Sequence, residues 1–495
     1  MCTVLLLSTA IACHAVRASS ITVANQIINT TDERFVSFTI DSSKFVDGSN
    51  PSVNLSDPQL LYLAQQLAPS YLRVGGTASD YTYYQVGDED PCHLPSSSYH
   101  CLPMPVMQQI IDFAVNVGAK LIFGLSMGYP TYPDDNTTVW NSSNTRQFLQ
   151  YLKGKGYDNS KLYGFELGNE MNNDPFPTPT VQSNAFKSLK QIVDDIWGNS
   201  NNIQLLGPDP HSYILRESDA KFDYIPEFVE ETCSVLDGVT YHSYVNVNQS
   251  ALLTPNGLNE QYRESVRVSD IWNDAYFKNA SAHCRDLVHR IFAGEIAEHN
   301  TGGVPNVTNT FYDGFWYLDA LGTISDLGHA GFFRQQLAKS EYGLLDYNYN
   351  PNCDYFTAYL FNQLMSNKVV RVKSDDENLR VYAHCSRNST TNGVSLAYIN
   401  LNEKETEIQY DATVVGKANV FLYALTPGDN SQGLQSDTMA LNGKVLKLEN
   451  GKLPSMNGEQ ISNGVAIKVQ GYSYGFVSFE STTLSVCSST QSVVP

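Results

Sequence analysis

The sequence predicts an α/β protein: a (β/α)₈ TIM barrel followed by a C-terminal antiparallel β-sandwich. Three observations carry that expectation. From about residue 35 to about residue 345, short apolar runs alternate with helix-like segments, the pattern of a parallel barrel. Nearly every run is followed by glycine or a polar residue, and that is the end of a barrel where loops can vary around rigid strands. After about residue 375 the runs become short and alternating, divided by Asn, Gly and Asp turns, which is the texture of a sandwich.

Taken in order, Ile21 to Ile28 reads as a strand that completes the second module from the N-terminus. Phe35 to Asp41 is the first barrel strand, Asp57 to Leu67 a helix, and Tyr71 to Val74 the second strand, closed by Gly75-Gly76. Lys120 to Leu125 is the third strand, and Thr145 to Lys155 a helix that leads into Leu162 to Leu167. Ile203 to Leu206 ends at Gly207-Pro208-Asp209, and Gly238 to Tyr241 ends at His242-Ser243-Tyr244. Arg290 to Ala293 precedes Gly294-Glu295, Thr310 to Leu321 reads as an amphipathic helix, and Gly331 to Arg334 is the eighth strand. Arg380 to His384, Val394 to Asn400, Ala418 to Leu425 and Val465 to Val469 supply strands of the sandwich. The expected division is a leader over 1–18, a strand joining the sandwich over 19–34, the barrel over 35–370, the sandwich over 371–487 and a disordered tail over 488–495.

A formal net charge of −20 argues against nucleic acid as a partner and, more softly, against densely sulfated polymers. Val4 to Ala12 forms a short apolar core, with Ala15 or Ala18 completing a small-residue cleavage pattern, so the first residues read as a secretory signal. No later segment approaches a membrane-spanning length. Sequons at Asn29, Asn54, Asn136, Asn141, Asn248, Asn279, Asn306 and Asn388 agree with a secreted glycoprotein, extracellular or lysosomal. Of the nine cysteines, Cys2 and Cys13 fall in the leader. Cys92 and Cys101 share one loop and form a natural local disulfide, while Cys385 and Cys487 bracket the last hundred residues or so and can tie the terminal strand down. The pairing of Cys233, Cys284 and Cys353 stays open, with one thiol left over. No spacing resembles a zinc or redox motif, so neither a metal nor a cofactor is expected.

The chemistry concentrates in two glutamates. Glu170 follows the Leu162 to Leu167 strand within Glu166-Leu167-Gly168-Asn169-Glu170, and Glu295 follows Arg290 to Ala293. Two carboxyls at the C-terminal ends of parallel strands are what a retaining glycosidase needs, one protonated to donate to the leaving oxygen and one ionised to attack the sugar carbon. Asn169 beside the acid can hold the sugar 2-hydroxyl. His242 and Tyr244 end a strand at the same face. His242 reads as a site-lining hydrogen bonder or a structural one, and Tyr244 as a group orienting Glu295 or a packed barrel tyrosine.

These segments resemble the heparanase and β-glucuronidase family of retaining glycoside hydrolases over nearly the whole mature chain. Further motifs carrying the resemblance are Phe38-Thr39-Ile40-Asp41, the run from Leu67 to Thr77, Trp140-Asn141-Ser142-Ser143-Asn144, Val239-Thr240-Tyr241-His242 and Tyr342-Gly343-Leu344-Leu345-Asp346. The animal heparanases and invertebrate hyaluronidases look closer than the plant members. The resemblance implies Glu170 as acid/base and Glu295 as nucleophile. It also implies Tyr342 with the Gly302-Gly303 backbone as the holder of a substrate carboxylate, and Asp41 with Thr77 as lining for the non-reducing sugar. Arg73 is ambiguous, since a strand-end arginine can simply pair with a carboxylate inside the barrel.

Departures from that pattern refine the expectation. Gln85 to Pro105 is too short for an excised linker, so the chain is expected to work uncleaved, as a monomer. Ala78, Pro210-His211-Ser212 and Glu298 remove positive or add negative charge around the cleft. The expected activity is endo-hydrolysis of β-D-glucuronosyl linkages in hyaluronan or sparsely sulfated heparan sulfate, with Glu170 kept protonated by the nearby charge of Glu295. An exo-glucuronidase for small glucuronides and a non-catalytic glycosaminoglycan-binding protein are the alternatives.

Overall fold

The computed structural model describes residues 17–46, 52–87, 94, 99–128, 139–173, 177–211, 224–244, 249–387, 392–416 and 419–488. Most of the leader, Cys92, the sequons Asn136, Asn248 and Asn388, and the end of the expected tail lie outside the described residues.

Strand β1 (Arg17–Thr30) precedes β2 (Val36–Asp41) and β3 (Ser70–Gly75), and β4 (Thr82–Gln85) pairs with β5 (His100–Pro103) in a small parallel ribbon. There follow β6 (Ala119–Leu125), β7 (Leu162–Leu167), β8 (Gln204–Gly207), β9 (Gly238–Tyr244), β10 (Ile291–Ala297) and β11 (Gly331–Arg334). β2, β3 and β6 to β11 close in chain order into a barrel of eight strands, each parallel to its neighbours. These strands are buried on both faces, and their sequences therefore read as continuous apolar runs. Two of them run further than expected. β9 continues through His242 to Tyr244, and β10 carries Glu295 within the strand. Polar side chains inside the barrel satisfy one another, so polarity there does not end a strand.

The helices start where the caps allow. Asp57 accepts from the N–H groups of Gln59 and Leu60 at the head of Pro58–Gln66, and Thr178 caps Pro179–Trp197, each helix opening on proline. The segment expected as an amphipathic helix over Thr310 to Leu321 is instead Asp313–Asp326, and almost its whole surface is buried. It packs on β1 and on the strands Leu379–Ser386, Val394–Asn400 and Ser473–Phe479 of the sheet that β1 joins, and its two buried aspartates, Asp313 and Asp319, pair with Arg334 and Arg380. A helix covered by two modules has no solvent face left to make it amphipathic.

The second module adds β12 (Met365–Ser374), β13 (Leu379–Ser386), β14 (Val394–Asn400), β15 (Thr406–Tyr410), β16 (Val420–Pro427), β17 (Met439–Leu441), β18 (Lys444–Val445), β19 (Glu459–Ile461), β20 (Ile467–Val469) and β21 (Ser473–Phe479). They form one sheet of 11 strands with β1, along the path β18-β17-β16-β21-β14-β13-β12-β1-β15-β20, with β19 beside β16. Val420 and Val477 near one end share an apolar cluster with Ile408 and Ile467 at the other, so the sheet folds over its own core. Its pairs are antiparallel except β1 with β15. Cys385 bonds Cys487 as expected, Cys233 bonds Cys284, and Cys353 is a free buried thiol. Cys101 is disulfide-bonded. Among the described residues no helix is long and apolar enough to cross a membrane.

Candidate active site

The site is assembled around Arg73, an almost fully buried arginine on β3. A Cβ on Gly75 would stand 2.7 Å from the Arg73 Cζ, so glycine at that position is what lets the guanidinium fold across the barrel mouth. Arg73 donates from Nε to Glu166 on β7 at 2.8 Å, from Nη1 to Glu295 on β10 at 2.7 Å, and from Nη2 to the Asn169 side-chain Oδ1 at 3.1 Å. Asp209, just past β8, lies 3.9 Å from Nη2. The ambiguous arginine thus pairs with barrel carboxylates and holds two of the expected site residues at the same time. Its grip on the Asn169 oxygen leaves the amide N–H₂ as the end available to another partner.

The turn after β7 presents Glu170. Gly168 has φ 81° with no room for a Cβ beside Met171 and Met127, and Glu170 itself takes the left-handed region at φ 54°. The Glu170 N–H donates to the Asp209 carbonyl at 2.7 Å, and the Asn169 N–H donates to both Asp80 oxygens at 3.1 Å. Glu170 Oε1 lies 3.0 Å from His242 Nδ1, and Oε2 lies 3.1 Å from His211 Nδ1. The same Nδ1 is 3.9 Å from Glu295 Oε2, while Nε2 on the far side of the ring is 3.5 Å from Asp209 Oδ1. The Tyr244 hydroxyl donates to Glu295 Oε1, so both oxygens of this carboxylate are held. Tyr244 therefore orients Glu295, and His242 stands between the two carboxylates.

Titration in this cluster departs from the expectation that Glu295 would keep Glu170 protonated. Burial opposes ionisation of Glu170, but His211 and His242 outweigh it and hold the carboxyl well below the usual range. Burial likewise works against a charged His242, and Glu295, Asp209 and Glu170 overcome it to push the ring up to about 10. The positive charge between the carboxylates replaces the like-charge repulsion that sequence alone suggested. Burial raises Glu166 to about 8 against the opposing pull of Arg73, and Asp80 is raised well above the carboxylate range, again chiefly by burial.

The remaining expected residues lie beside this cluster. Tyr342 packs with Tyr244 and Ala297, its hydroxyl flanked by the Gly302 N–H and the Gln335 side chain and within the fields of Glu295 and Asp41. Gly302 accepts from the Tyr342 N–H at 3.2 Å, and Gly303 packs directly on Tyr342. Asp41 ends β2, takes the Gln336 amide oxygen on its N–H at 2.9 Å and backs onto Gly76; Thr77 follows, exposed at the rim. Sequence reasoning gave no role to Glu166, Asp209, Asp80 or Gln335. A glutamate inside the apolar run of β7 was the available signal, because a charge there requires a buried partner.

Glu170, His242 and Glu295 each bring an atom within 4.8 Å of the others, a donor set of the kind that binds metals. Arg73 and a protonated His242 already supply the positive charge there, and a divalent cation would have to displace both. What the arrangement can do directly is hold one carboxyl rigidly beside a second that lies within proton-transfer reach of a histidine.

Residues 19–322 match the model of the glycosyl hydrolase family 79 N-terminal domain. The chain belongs to glycosyl hydrolase family 79. It is a glycoside hydrolase. Its family 79 relatives include a baicalin-beta-D-glucuronidase of Scutellaria baicalensis, 27% identical over 92% of this chain and 90% of that protein. The heparanase of Mus musculus is 26% identical over 92% of this chain and 91% of its own, and the hyaluronoglucuronidase of Hirudo nipponia 24% identical over 91% and 96%. Identities this even do not place the animal members nearer than the plant ones. Among solved structures, a 4-O-alpha-L-rhamnosyl-beta-D-glucuronidase of Fusarium oxysporum superposes with TM-score 0.62 at 16% identity, covering 94% of this chain and 99% of that one. A GH51 alpha-L-arabinofuranosidase of Thermotoga petrophila gives 0.63 at 13% identity over 94% and 100%, so the barrel with its second module is a shared fold.

Proposed function

We propose that this chain is a retaining endo-β-glucuronidase that cleaves β-D-glucuronosyl linkages in hyaluronan or sparsely sulfated heparan sulfate. The observation carrying this reading is the pair Glu170 and Glu295 at the barrel mouth, each with an oxygen within 4.8 Å of the other. Retention needs carboxyls roughly 5–5.5 Å apart, whereas inversion needs about 6.5–9.5 Å to seat a water. Glu295, fixed by Arg73 and Tyr244, attacks the anomeric carbon. Glu170 takes back the proton held at His242 Nδ1 and gives it to the leaving oxygen. It then draws a proton from the water that releases the glucuronyl ester. Asn169 holds the 2-hydroxyl, and Tyr342 with the Gly302 N–H offers neutral donors to the substrate carboxylate, a suitable arrangement for so acidic a protein.

The glucuronide preference draws on the Scutellaria and Hirudo relatives, whose names state it. The Scutellaria enzyme, named for a small glucuronide, also supports a second reading, exo-hydrolysis of small β-glucuronides. Export is part of the proposal, supported by the disulfides and by exposed sequon asparagines at Asn54, Asn141, Asn279 and Asn306. Mass spectrometry of products from hyaluronan and from heparan sulfate tests the activity. Oligosaccharides with glucuronate at the new reducing end are expected. Free glucuronate alone selects the exo reading, and no product from either polymer or from a chromogenic β-glucuronide overturns both.

A further inference from the structure

Glu170 is gripped by a second histidine that the reaction scheme above does not use. His211 follows Asp209-Pro210, and this short segment is fastened at every residue. Asp209 takes the Glu170 N–H on its carbonyl at 2.7 Å, Pro210 takes the His242 N–H at 3.2 Å, and the His211 N–H donates to Asn172 Oδ1 at 2.6 Å. Asn172 returns the contact from Nδ2 to the His211 carbonyl at 3.3 Å. Asn172 sits in the turn just after Glu170, so the backbone carrying the histidine and the backbone carrying the acid are one locked unit. Within it, His211 Nδ1 stands 3.1 Å from Glu170 Oε2, is itself sealed from solvent, and makes no well-aligned hydrogen bond. The imidazole as a whole remains 30% exposed at the mouth. A buried ring nitrogen aimed at a carboxylate it does not fully satisfy is poised to shift as that carboxylate changes state.

We propose that His211 is a positioning residue that holds Glu170 in its ionised form and thereby sets the upper pH limit of the hydrolysis. The inference rests on the reading of Glu170 as acid/base. Among the described residues, the other groups acting on Glu170 include His242 on Oε1, Asp80 beneath Asn169, Tyr244, and, through His242, Glu295 and Asp209 with Arg73. Those groups are buried, whereas the His211 side chain is 30% exposed, so its loss alters the field on Oε2 while the buried frame stays in place.

The sign follows from electrostatics. A positive or donating neighbour favours the carboxylate, and removing it lets Glu170 keep its proton to higher pH. Such a neighbour within 4–6 Å lowers a carboxyl by roughly one to three units, and the partial exposure of the His211 side chain puts the effect at the low end, about one unit. The test is the pH dependence of kcat/KM on phenyl β-D-glucuronide, whose poor leaving group needs the acid, for the full chain, H211Q and H211K. The expected result is an alkaline limb about one pH unit higher in H211Q, with H211K returning it toward the unsubstituted protein. A lower rate in H211Q with an unmoved limb means a purely structural role and overturns the proposal. So does a downward shift, or an H211K limb that rises as far as that of H211Q. If the unsubstituted protein hydrolyses no β-glucuronide, the functional reading falls first and this proposal with it.

Discussion

Two arginines, each buried near the end of a barrel strand, collect carboxylates, and the proposed chemistry falls on one of the two clusters. Arg73 on β3 holds Glu166, Asp209 and Glu295 at the mouth. Arg334 on β11 holds Asp313 at 2.7 Å and Asp354 at 3.0 Å, donates to the Tyr342 carbonyl at 3.0 Å, and lies 5.0 Å from the ring centres of Trp316 and Tyr317. The Arg334 cluster settles its excess negative charge by protonation. Burial, then Asp313, pushes Glu298 to about 8 and raises Asp354 well above the carboxylate range, against Arg334. The Arg73 cluster pushes its groups apart, with Glu166 raised, Glu170 lowered and His242 raised, and it keeps Glu170 and Glu295 partly accessible. Buried ion pairs alone do not mark an active site; opposed titration with access to solvent does.

The sharpest way to break this contrast is Glu295→Gln. Loss of the nucleophile is expected to reduce kcat on the order of 10⁴-fold or more with the thermal transition retained. A variant with its rate intact removes Glu295 from the reaction. Next, Glu170→Ala is expected to cost about 10²–10⁴-fold on substrates with poor leaving groups and far less on 4-nitrophenyl glucuronide. Equal losses across a leaving-group series contradict an acid role.

Arg334→Met addresses the sealed cluster. It strands Asp313 and Asp354 and releases the Tyr342 carbonyl, so a stability loss of about 3–5 kcal/mol is expected by denaturant unfolding, with kcat per folded molecule little changed and any loss confined to KM through Tyr342. A large loss of kcat in folded protein would merge the two clusters functionally.

The smallest effect is in the pH dependence of stability. Glu298 is raised from 4.5 to about 8 in the fold, and a group raised by folding stabilises below its unfolded value and loses that contribution as pH rises through its folded one. Melting temperature is therefore expected to fall between about pH 5 and about pH 8, and Glu298→Gln to flatten that decline. His329 and His384, lowered by burial to about 3 and about 4, act oppositely, withdrawing stability as pH drops below their ordinary range. A melting temperature that rises steadily from pH 5 to 8 contradicts this assignment.

The barrel was legible because strands buried on both faces must be apolar throughout, and β7 and β11 were read to the residue. β9 and β10 were read short, since His242, Ser243 and Glu295 look like strand exits until their partners across the mouth are known. Asp313–Asp326 was misplaced for a similar reason, because its cover comes from a module more than fifty residues away in sequence. In the site, Glu170 and Glu295 stood out by type and position. The state of Glu170 was not legible, because His242 and His211 reach it from 72 and 41 residues away and periodicity carries no trace of that convergence. Arg73 shows the limit most plainly, since one side chain both pairs with Glu166 inside the barrel and grips Glu295, and sequence offered these as alternatives.

The central claim is that Glu170 and Glu295 act together as acid/base and nucleophile on a β-D-glucuronoside. Proton NMR of the reaction with 4-nitrophenyl β-D-glucuronide, followed from the first turnovers, tests it most directly. β-Glucuronate is expected to be released first and to mutarotate afterwards, as double displacement through Glu295 requires. Release of α-glucuronate first would mean direct attack by water and would contradict it.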